Sequence, residues 1–368
     1  SFSINLEKAY SDNDVWKIGF KFKDKTKMRD DIWYEYDNDL SNMDGVSYFD
    51  ASIPDYLAGD IYQSGYFVTA NTLGLLSLSG PEDPNFDSYV MDEFAGGNYD
   101  AEEQIAAFYA MIVDKLGDDV TLIAGARFES TSINYTGQVF DEEEDELPSD
   151  IGSVSGGNDY YNILPNLTLQ WDVNDELNFN FAFTQSIARP SYYDLVPYEY
   201  SNSDDQELAL GNPDLKASLS TNFDIMGEWY FGGLSLLSFG YFSKDIKDWI
   251  YQYTTNNYTY AGVNGYELSQ LRNGEKASVS GFELGFQTKF LKNFTFMGNY
   301  TSTDSSTNNV EGRDDVPLTG QVDDMYNLSL AFENSKFFVR ASMNYASEAL
   351  DELSGDAYED RYYDEQTF

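Results

Sequence analysis

Residues 177–187 read LNFNFAFTQSI, and large apolar side chains alternate with small or polar ones along this stretch. The odd positions up to 183 carry Leu or Phe, and the even positions from 178 to 184 carry Asn, Ala or Thr. A repeat of two residues is the signature of a β-strand whose two faces meet different surroundings. The stretch therefore predicts a strand in a two-faced wall.

The same alternation recurs along the chain, which makes it a property of the whole fold. It is present in six further segments: 16–22, 120–128, 163–171, 219–229, 282–290 and 337–345. Only residues 104–113 are ambiguous, because both faces of that segment are largely apolar. The sequence predicts roughly a dozen strands in all.

The connections between the predicted strands fall into two length classes. Very short links are predicted at 116–119, 172–175, 231–233, 291–293 and 333–335, and long ones at 24–101, 134–159, 189–215, 245–275 and 303–321. A soluble antiparallel sandwich also has alternating strands, but it has no reason to sort its loops in this way. Short turns at one rim and long loops at the other are typical of outer-membrane barrels. We therefore expect an all-β, antiparallel transmembrane β-barrel of outer-membrane type, forming one domain over residues 1–368.

Composition agrees with a wall between lipid and water. The chain has 30 Tyr and 26 Phe, yet its mean hydropathy is −0.48. Such a mixture suits strands that turn apolar residues to lipid and polar residues to an aqueous interior. No run of about 18 apolar residues is present, so no transmembrane helix is expected.

Charge and missing residue types exclude several classes of function. The formal net charge of −43 makes nucleic-acid binding improbable, because phosphate backbones would be repelled. The chain has neither Cys nor His, which removes thiol nucleophiles, histidine-based triads and the usual zinc and haem ligands. We expect no enzyme activity, no cofactor and no metal.

Several short motifs stand in a fixed order in the second half of the chain. They are Ser186-Ile-Ala-Arg-Pro190, Gly211-Asn-Pro-Asp-Leu-Lys216, Gly240-Tyr-Phe242 with Lys244-Asp-Ile246, Asn273-Gly274, Gly281-Phe-Glu283, and Pro317-Leu318 with Asn327-Leu-Ser329. In order and spacing they resemble the C-terminal barrel portion of TonB-dependent receptors, in particular those of Bacteroidetes. The resemblance covers the chain from Glu102 onward.

The resemblance implies a function that composition alone does not. It implies part of a 22-stranded barrel, with the plug and the last strands outside this chain, in the outer membrane of a Gram-negative bacterium. It further implies active uptake of a scarce solute such as an iron–siderophore, glycan, peptide or cobalamin. The implied partners are the TonB complex of the inner membrane (contacted through the plug), outer-membrane lipid, the extracellular nutrient and a surface lipoprotein. A passive porin or a surface adhesin built on the same barrel is the alternative.

Candidate ligand-binding residues lie in the loop after the strand at 177–187. Arg189 could pair with carboxylates inside the barrel or contact an anionic ligand. The loop then concentrates aromatic rings that could serve as platforms for sugars or siderophores, or could pack the rim, namely Tyr192, Tyr193, Tyr198 and Tyr200.

Two other segments have simpler interpretations. Residues 141–146 are six consecutive carboxylates, which could hold Ca²⁺ but match no calcium-loop spacing and are more typical of a solvated acidic loop. Asn212, Pro213 and Asp214 predict a turn that ends one loop and begins the next strand, because Pro fixes φ and cannot donate to a ladder.

Overall fold

The computed structural model describes residues 1–11, 14–30, 34–35, 90–91, 98–139, 152–202, 205–308, 310–354 and 361–367. These residues form strands and one four-residue helix. The elements are β1 (Phe2–Ala9), β2 (Val15–Arg29), β3 (Tyr34–Glu35), β4 (Val90–Met91), β5 (Tyr99–Leu116), β6 (Val120–Val139), β7 (Gly152–Asn174), β8 (Leu177–Ala188), α1 (Tyr192–Leu195), β9 (Glu199–Asn202), β10 (Glu207–Leu210), β11 (Ser218–Phe231), β12 (Ser235–Lys247), β13 (Ile250–Tyr260), β14 (Val263–Asn273), β15 (Lys276–Phe290), β16 (Phe294–Asn308), β17 (Asp324–Glu333), β18 (Phe338–Ala346), β19 (Ala349–Ser354), β20 (Arg361–Tyr363) and β21 (Gln366–Thr367).

Twelve of these strands form one continuous antiparallel wall. Their order is β1-β2-β5-β6-β7-β8-β11-β12-β15-β16-β17-β18, and each pairs with its neighbours in sequence order. Within the described residues the wall does not close on itself, since β1 pairs only with β2. No helix among the described residues is long and apolar enough to cross a membrane.

The two faces of the wall have opposite character. On one face large apolar side chains stay exposed on strand after strand; Phe108 is 50% exposed and its cross-strand partners Phe20 and Phe128 are 42% and 44% exposed. Exposed rings are costly in water but favourable against lipid. We call this the lipid face and the opposite, mostly polar face the lumen face. The wall strands are thus stabilised by their ladders and by lipid, not by one central core.

Buried apolar residues gather instead beyond one rim, where the long connections lie. The buried cluster around Trp249, Leu350 and Leu353 and the one around Tyr192, Leu195 and Leu215 belong to or pack on connecting segments. Two of the long connections and the segment after β18 contribute strands to one mixed sheet, whose order is β9-β10-β14-β13-β19-β20. We call it the outer sheet. It ties the loops into a folded layer.

The motif 211–216 is a joint between loops, as its turn chemistry predicts. The Asn212 side-chain amide donates to the carbonyl of Leu271 at 2.9 Å, and its side-chain oxygen accepts from the backbone N–H of Asp214. The side chain of Asn273 both accepts from and donates to the backbone of Lys216. Two motifs far apart in sequence therefore hold each other at the outer rim.

The turns at the opposite rim confirm the short-link prediction, whereas the outer boundaries of the predicted strands are wrong. Residues 134–159 were expected to be a loop, but β6 and β7 remain paired out to Val139 and Gly152. β7 has 23 residues, about twice the 9–11 that a tilted strand needs to cross a bilayer. The strands project beyond the membrane, and the segments 189–215 and 245–275 contain strands of the outer sheet.

Candidate functional site

The loop after β8 folds back over the mouth of the lumen. Its helix α1 begins with a capping box, in which the Asp194 backbone N–H donates to the Ser191 hydroxyl and the Ser191 N–H donates to the Asp194 carboxylate. This cap orients the next residues so that Tyr192 and Leu195 are buried against Tyr99 and Tyr135 of β5 and β6. The loop thus closes the outer end of the lumen face between β5 and β6.

Arg189 pairs with a carboxylate inside the wall, as one of its two predicted roles requires. Its guanidinium lies 2.6 Å from the carboxylate of Glu129 and 3.0 Å from the Thr131 hydroxyl. Glu129 also pairs with Arg127 on its own strand at 2.5 Å and is only 8% exposed. Two cations therefore share one nearly buried carboxylate, and the Tyr160 hydroxyl contacts Arg189 as well.

A second buried carboxylate lies one strand away. Glu103, 6% exposed, accepts a hydrogen bond from Lys23 of β2 at 2.9 Å. The same carboxylate lies close enough to Tyr192 to influence its hydroxyl. Glu103 thus pairs with one cation and Glu129 with two at the edge of the mouth.

Three cations of β2 face three tyrosine rings of the mouth. Lys25 lies 4.8 Å from the ring centroid of Tyr192, and Lys27 lies 6.0 Å from that of Tyr99. The Arg29 guanidinium lies 5.7 Å from the ring of Tyr193, which in turn stacks on Tyr198 at 4.5 Å. Cations at such distances are attracted by the electron-rich faces of the rings.

Burial makes the loop tyrosines weak acids. It raises the pKa of Tyr192 to about 12, and the neighbouring carboxylate of Glu103 adds to the shift because a second negative charge is disfavoured there. Burial also raises the pKa of Tyr198, helped by its contact with Tyr193. At neutral pH both hydroxyls therefore stay protonated and can donate hydrogen bonds.

Four of the five predicted residues come together at this mouth. Arg189, Tyr192, Tyr193 and Tyr198 lie there, whereas Tyr200 belongs to β9 of the outer sheet, opposite Ala209. Residues 141–146 lie outside the described residues. Among the residues that the structure does describe, no three Asp or Glu side chains are grouped closely enough to hold a metal ion.

The main residues that sequence reasoning missed are Glu103, Glu129 and the outer cations of β2. The sequence prediction places Lys25, Lys27 and Arg29 in the loop 24–101, because the lipid-facing alternation ends at Phe22. A continuing alternation of Lys or Arg at every second position was the signal that could have extended the strand.

Comparisons with known proteins agree with this architecture. The family model described as "TonB dependent receptor-like, beta-barrel" matches residues 1–367. No curated protein matches the sequence.

Solved structures with a similar fold include two uptake receptors and one iron transporter. The ferric-catecholate import receptor Fiu from E. coli K12 has a TM-score of 0.62 at 14% identity, covering 99% of this chain and 46% of its own. The ferric yersiniabactin uptake receptor FyuA from Yersinia pestis has a TM-score of 0.57 at 11% identity, covering 99% and 44%. The FrpB iron transporter from Neisseria meningitidis has a TM-score of 0.52 at 13% identity, covering 99% and 45%. The chain spans a little under half the length of these receptors, and at such low identity the likeness concerns the fold alone.

Proposed function

Because the chain belongs to the family of TonB-dependent receptors, as a β-barrel of the outer membrane, we propose that it is the wall of an importer. In this proposal the mouth formed by Arg189, Tyr192, Tyr193 and Tyr198 captures a scarce solute from outside the cell. A plug inside the lumen then moves when the TonB complex pulls on it, and the solute passes inward. A surface lipoprotein that delivers cargo to the outer sheet is a further proposed partner.

The observation that supports capture at the mouth is the folded-in loop after β8. This loop buries Tyr192 and Leu195 over the lumen face and brings the rings of Tyr192 and Tyr193 beside Lys25 and Arg29 of β2. Concave sites with rings and a few charged groups are suited to binding small molecules. Two of the similar receptors import ferric catecholate and ferric yersiniabactin, which are consistent with such a site but are the solutes of those proteins.

Growth of a deletion strain tests energised uptake directly. The strain would be grown with ferric citrate, a ferric catecholate, cobalamin or a maltooligosaccharide as the limiting nutrient, with and without the receptor gene. We expect the gene to restore growth on one of these nutrients only when TonB is present. Restored growth without TonB would contradict the proposal.

Planar-bilayer conductance tests the passive alternative. The receptor purified from outer membranes should be nearly silent in KCl if a plug fills the lumen, whereas a porin should conduct steadily. Steady conductance would favour the porin.

A further inference from the structure

The lumen face of β2 carries a series of cations below and within the mouth, interrupted only at Gly19. Phe20 of β2 lies on the lipid face. Because side chains alternate along a strand, the odd-numbered residues of β2 lie on the opposite, lumen face, together with Gly19 and with Glu103 of β5. Six of the chain's 21 Lys and Arg residues occupy this one face. We call them the basic stripe: Lys17, Lys21, Lys23, Lys25, Lys27 and Arg29.

The basic stripe runs along the whole depth of the membrane. Lys17 lies near the short turn in which the Tyr10 N–H donates to the carbonyl of Asp14, and Arg29 lies beside Tyr193 at the outer mouth. At roughly 3.3 Å per residue the twelve steps between them cover about 40 Å. The apolar band of an outer-membrane barrel is only about 25 Å tall. The stripe therefore connects one rim to the other.

Within the described residues the stripe is only partly neutralised. Lys17 pairs with Glu7 at 2.8 Å and Lys23 with Glu103 at 2.9 Å. The structure gives Lys21, Lys25 and Lys27 no carboxylate of the described residues within salt-bridge distance, and all three are exposed on the lumen face.

Such a row is unfavourable for the barrel alone, since neighbouring like charges on one face of a strand repel each other. It is also unexpected in a chain of net charge −43, which has 64 carboxylates available for pairing. A line of cations along a low-dielectric wall does, however, focus the field and attract anions into the cleft.

We propose that the basic stripe binds anionic solutes and guides them along the lumen, so that the cargo carries several carboxylate, phosphate, sulfonate or phenolate oxygens. The proposal rests on the proposed import function, whose cargo class it names. At the outer end the cations lie beside tyrosine rings, which suits a flat or aromatic anion. Further in, Lys21 and Lys23 continue the same line, which suits passage rather than a single terminal site.

Binding of pyranine, a fluorescent pyrene carrying three sulfonates, tests the proposal without knowledge of the cargo. The intact receptor in nonionic detergent would be titrated with pyranine and followed by fluorescence anisotropy. The test variant is Lys21→Gln/Lys25→Gln/Lys27→Gln. The matched control is Lys8→Gln/Lys292→Gln/Lys336→Gln, whose exposed side chains lie on the lipid face of β1 or in turns, away from the lumen. Both variants change the net charge by the same amount.

We expect the test variant to bind pyranine roughly tenfold more weakly than the wild type, because three modest ion pairs are lost together. The control should bind like the wild type, and salt should weaken wild-type binding by screening. Equal losses in both variants would overturn the proposal, since binding would then reflect total charge. Absence of wild-type binding would also overturn it, since protein groups such as an acidic plug segment would then cover the stripe.

The two proposals can fail separately. Pyranine binding needs neither TonB nor energy, so a stripe that binds the probe in a receptor that supports no TonB-dependent growth would refute import and leave the stripe intact. TonB-dependent growth that the test variant supports as well as the control does would refute the stripe's role and leave import intact. Folding of each variant is checked by the shift in gel mobility that intact barrels show on heating.

Discussion

The lumen face has two sides that differ in how they satisfy their polar groups. Around β2, β5 and β6 it carries charges, with Glu103 and Glu129 nearly buried among cations. Between β12 and β18 it includes a concave patch of about 380 Å³ lined by amides and hydroxyls. We call this the amide patch: Ser238, Gln287, Asn299, Asn327, Ser329, Ser342 and Asn344. Ser238, Asn299, Asn327 and Asn344 belong to one cross-strand row.

One wall can therefore combine a rigid side with an adaptable side. A buried carboxylate shared by two guanidiniums fixes geometry, because removing any member leaves a charge without its partner. Exposed amides can exchange partners with water or with a ligand at little cost. The charged side thus holds the loop after β8 in place, while the amide patch offers neutral hydrogen-bonding groups.

Replacing Glu129 by Gln should have the largest effect, because it breaks the charged side at its centre. Arg127 and Arg189 would then repel each other without a shared carboxylate. We expect the free energy of unfolding to fall by about 2–3 kcal/mol, somewhat below the value for a fully buried pair since both arginines are partly exposed. Urea unfolding of the protein refolded in lipid vesicles measures it.

Glu7→Gln is the matched control for that change. It removes the same charge from the pair with Lys17, in which the Glu7 side chain is 58% exposed. Exposed ion pairs contribute little, so the control should unfold almost like the wild type. Equal losses in the two variants would mean that burial does not distinguish the charged side.

The wall was predictable from sequence because membrane and lumen impose different solvents on alternate residues. Stretches such as 177–187 and the turn at 232–234 follow directly from that constraint. Beyond the membrane both faces meet water or packed loops, and the alternation fades although the backbone ladder continues. On β5, Glu102 lies on the outer side of the wall and Glu103 on the lumen side. Because both faces are polar there, the polarity of the side chains does not show where the strand ends.

The site was predictable only in part, because its contacts join residues distant in sequence. Arg189 and the tyrosines stood out as a cationic and aromatic loop. The choice of Glu129 as partner, 60 residues earlier, depends on the register of β6 against its neighbours and on the path of the loop. The outer sheet depends on parallel pairings between separate loops, for which no local pattern exists.

Replacing Asn299 by Ala should have a smaller effect, because it changes the amide patch. The change removes the hydrogen bond that the Asn327 amide donates to Asn299 at 2.8 Å. Because that bond is exposed to the lumen, we expect a loss of about 0.5–1 kcal/mol in the same urea measurement. A loss as large as that of Glu129→Gln would show that the two sides are equally rigid.

Replacing Tyr192 by Phe should have the smallest effect on the free energy of unfolding. It tests whether water reaches the hydroxyl of Tyr192 on the charged side. The raised pKa of Tyr192, about 12, means that the folded mouth keeps the phenol neutral. An unfolded chain ionises tyrosine near pH 10, so this group's contribution to stability is present below about pH 10 and is lost as pH rises toward 12. Phe cannot ionise and should lack this part of the alkaline dependence.

The measurement is the phenolate absorbance near 295 nm of the wild type minus that of Tyr192→Phe, titrated in the folded state. We expect the difference to appear only near pH 12, since below that pH Tyr192 adds no phenolate. The same pair unfolded in urea is the control, where the difference should appear near pH 10. A folded-state difference already at pH 10 would mean that water reaches the hydroxyl of Tyr192. The charged side would then be as adaptable as the amide patch.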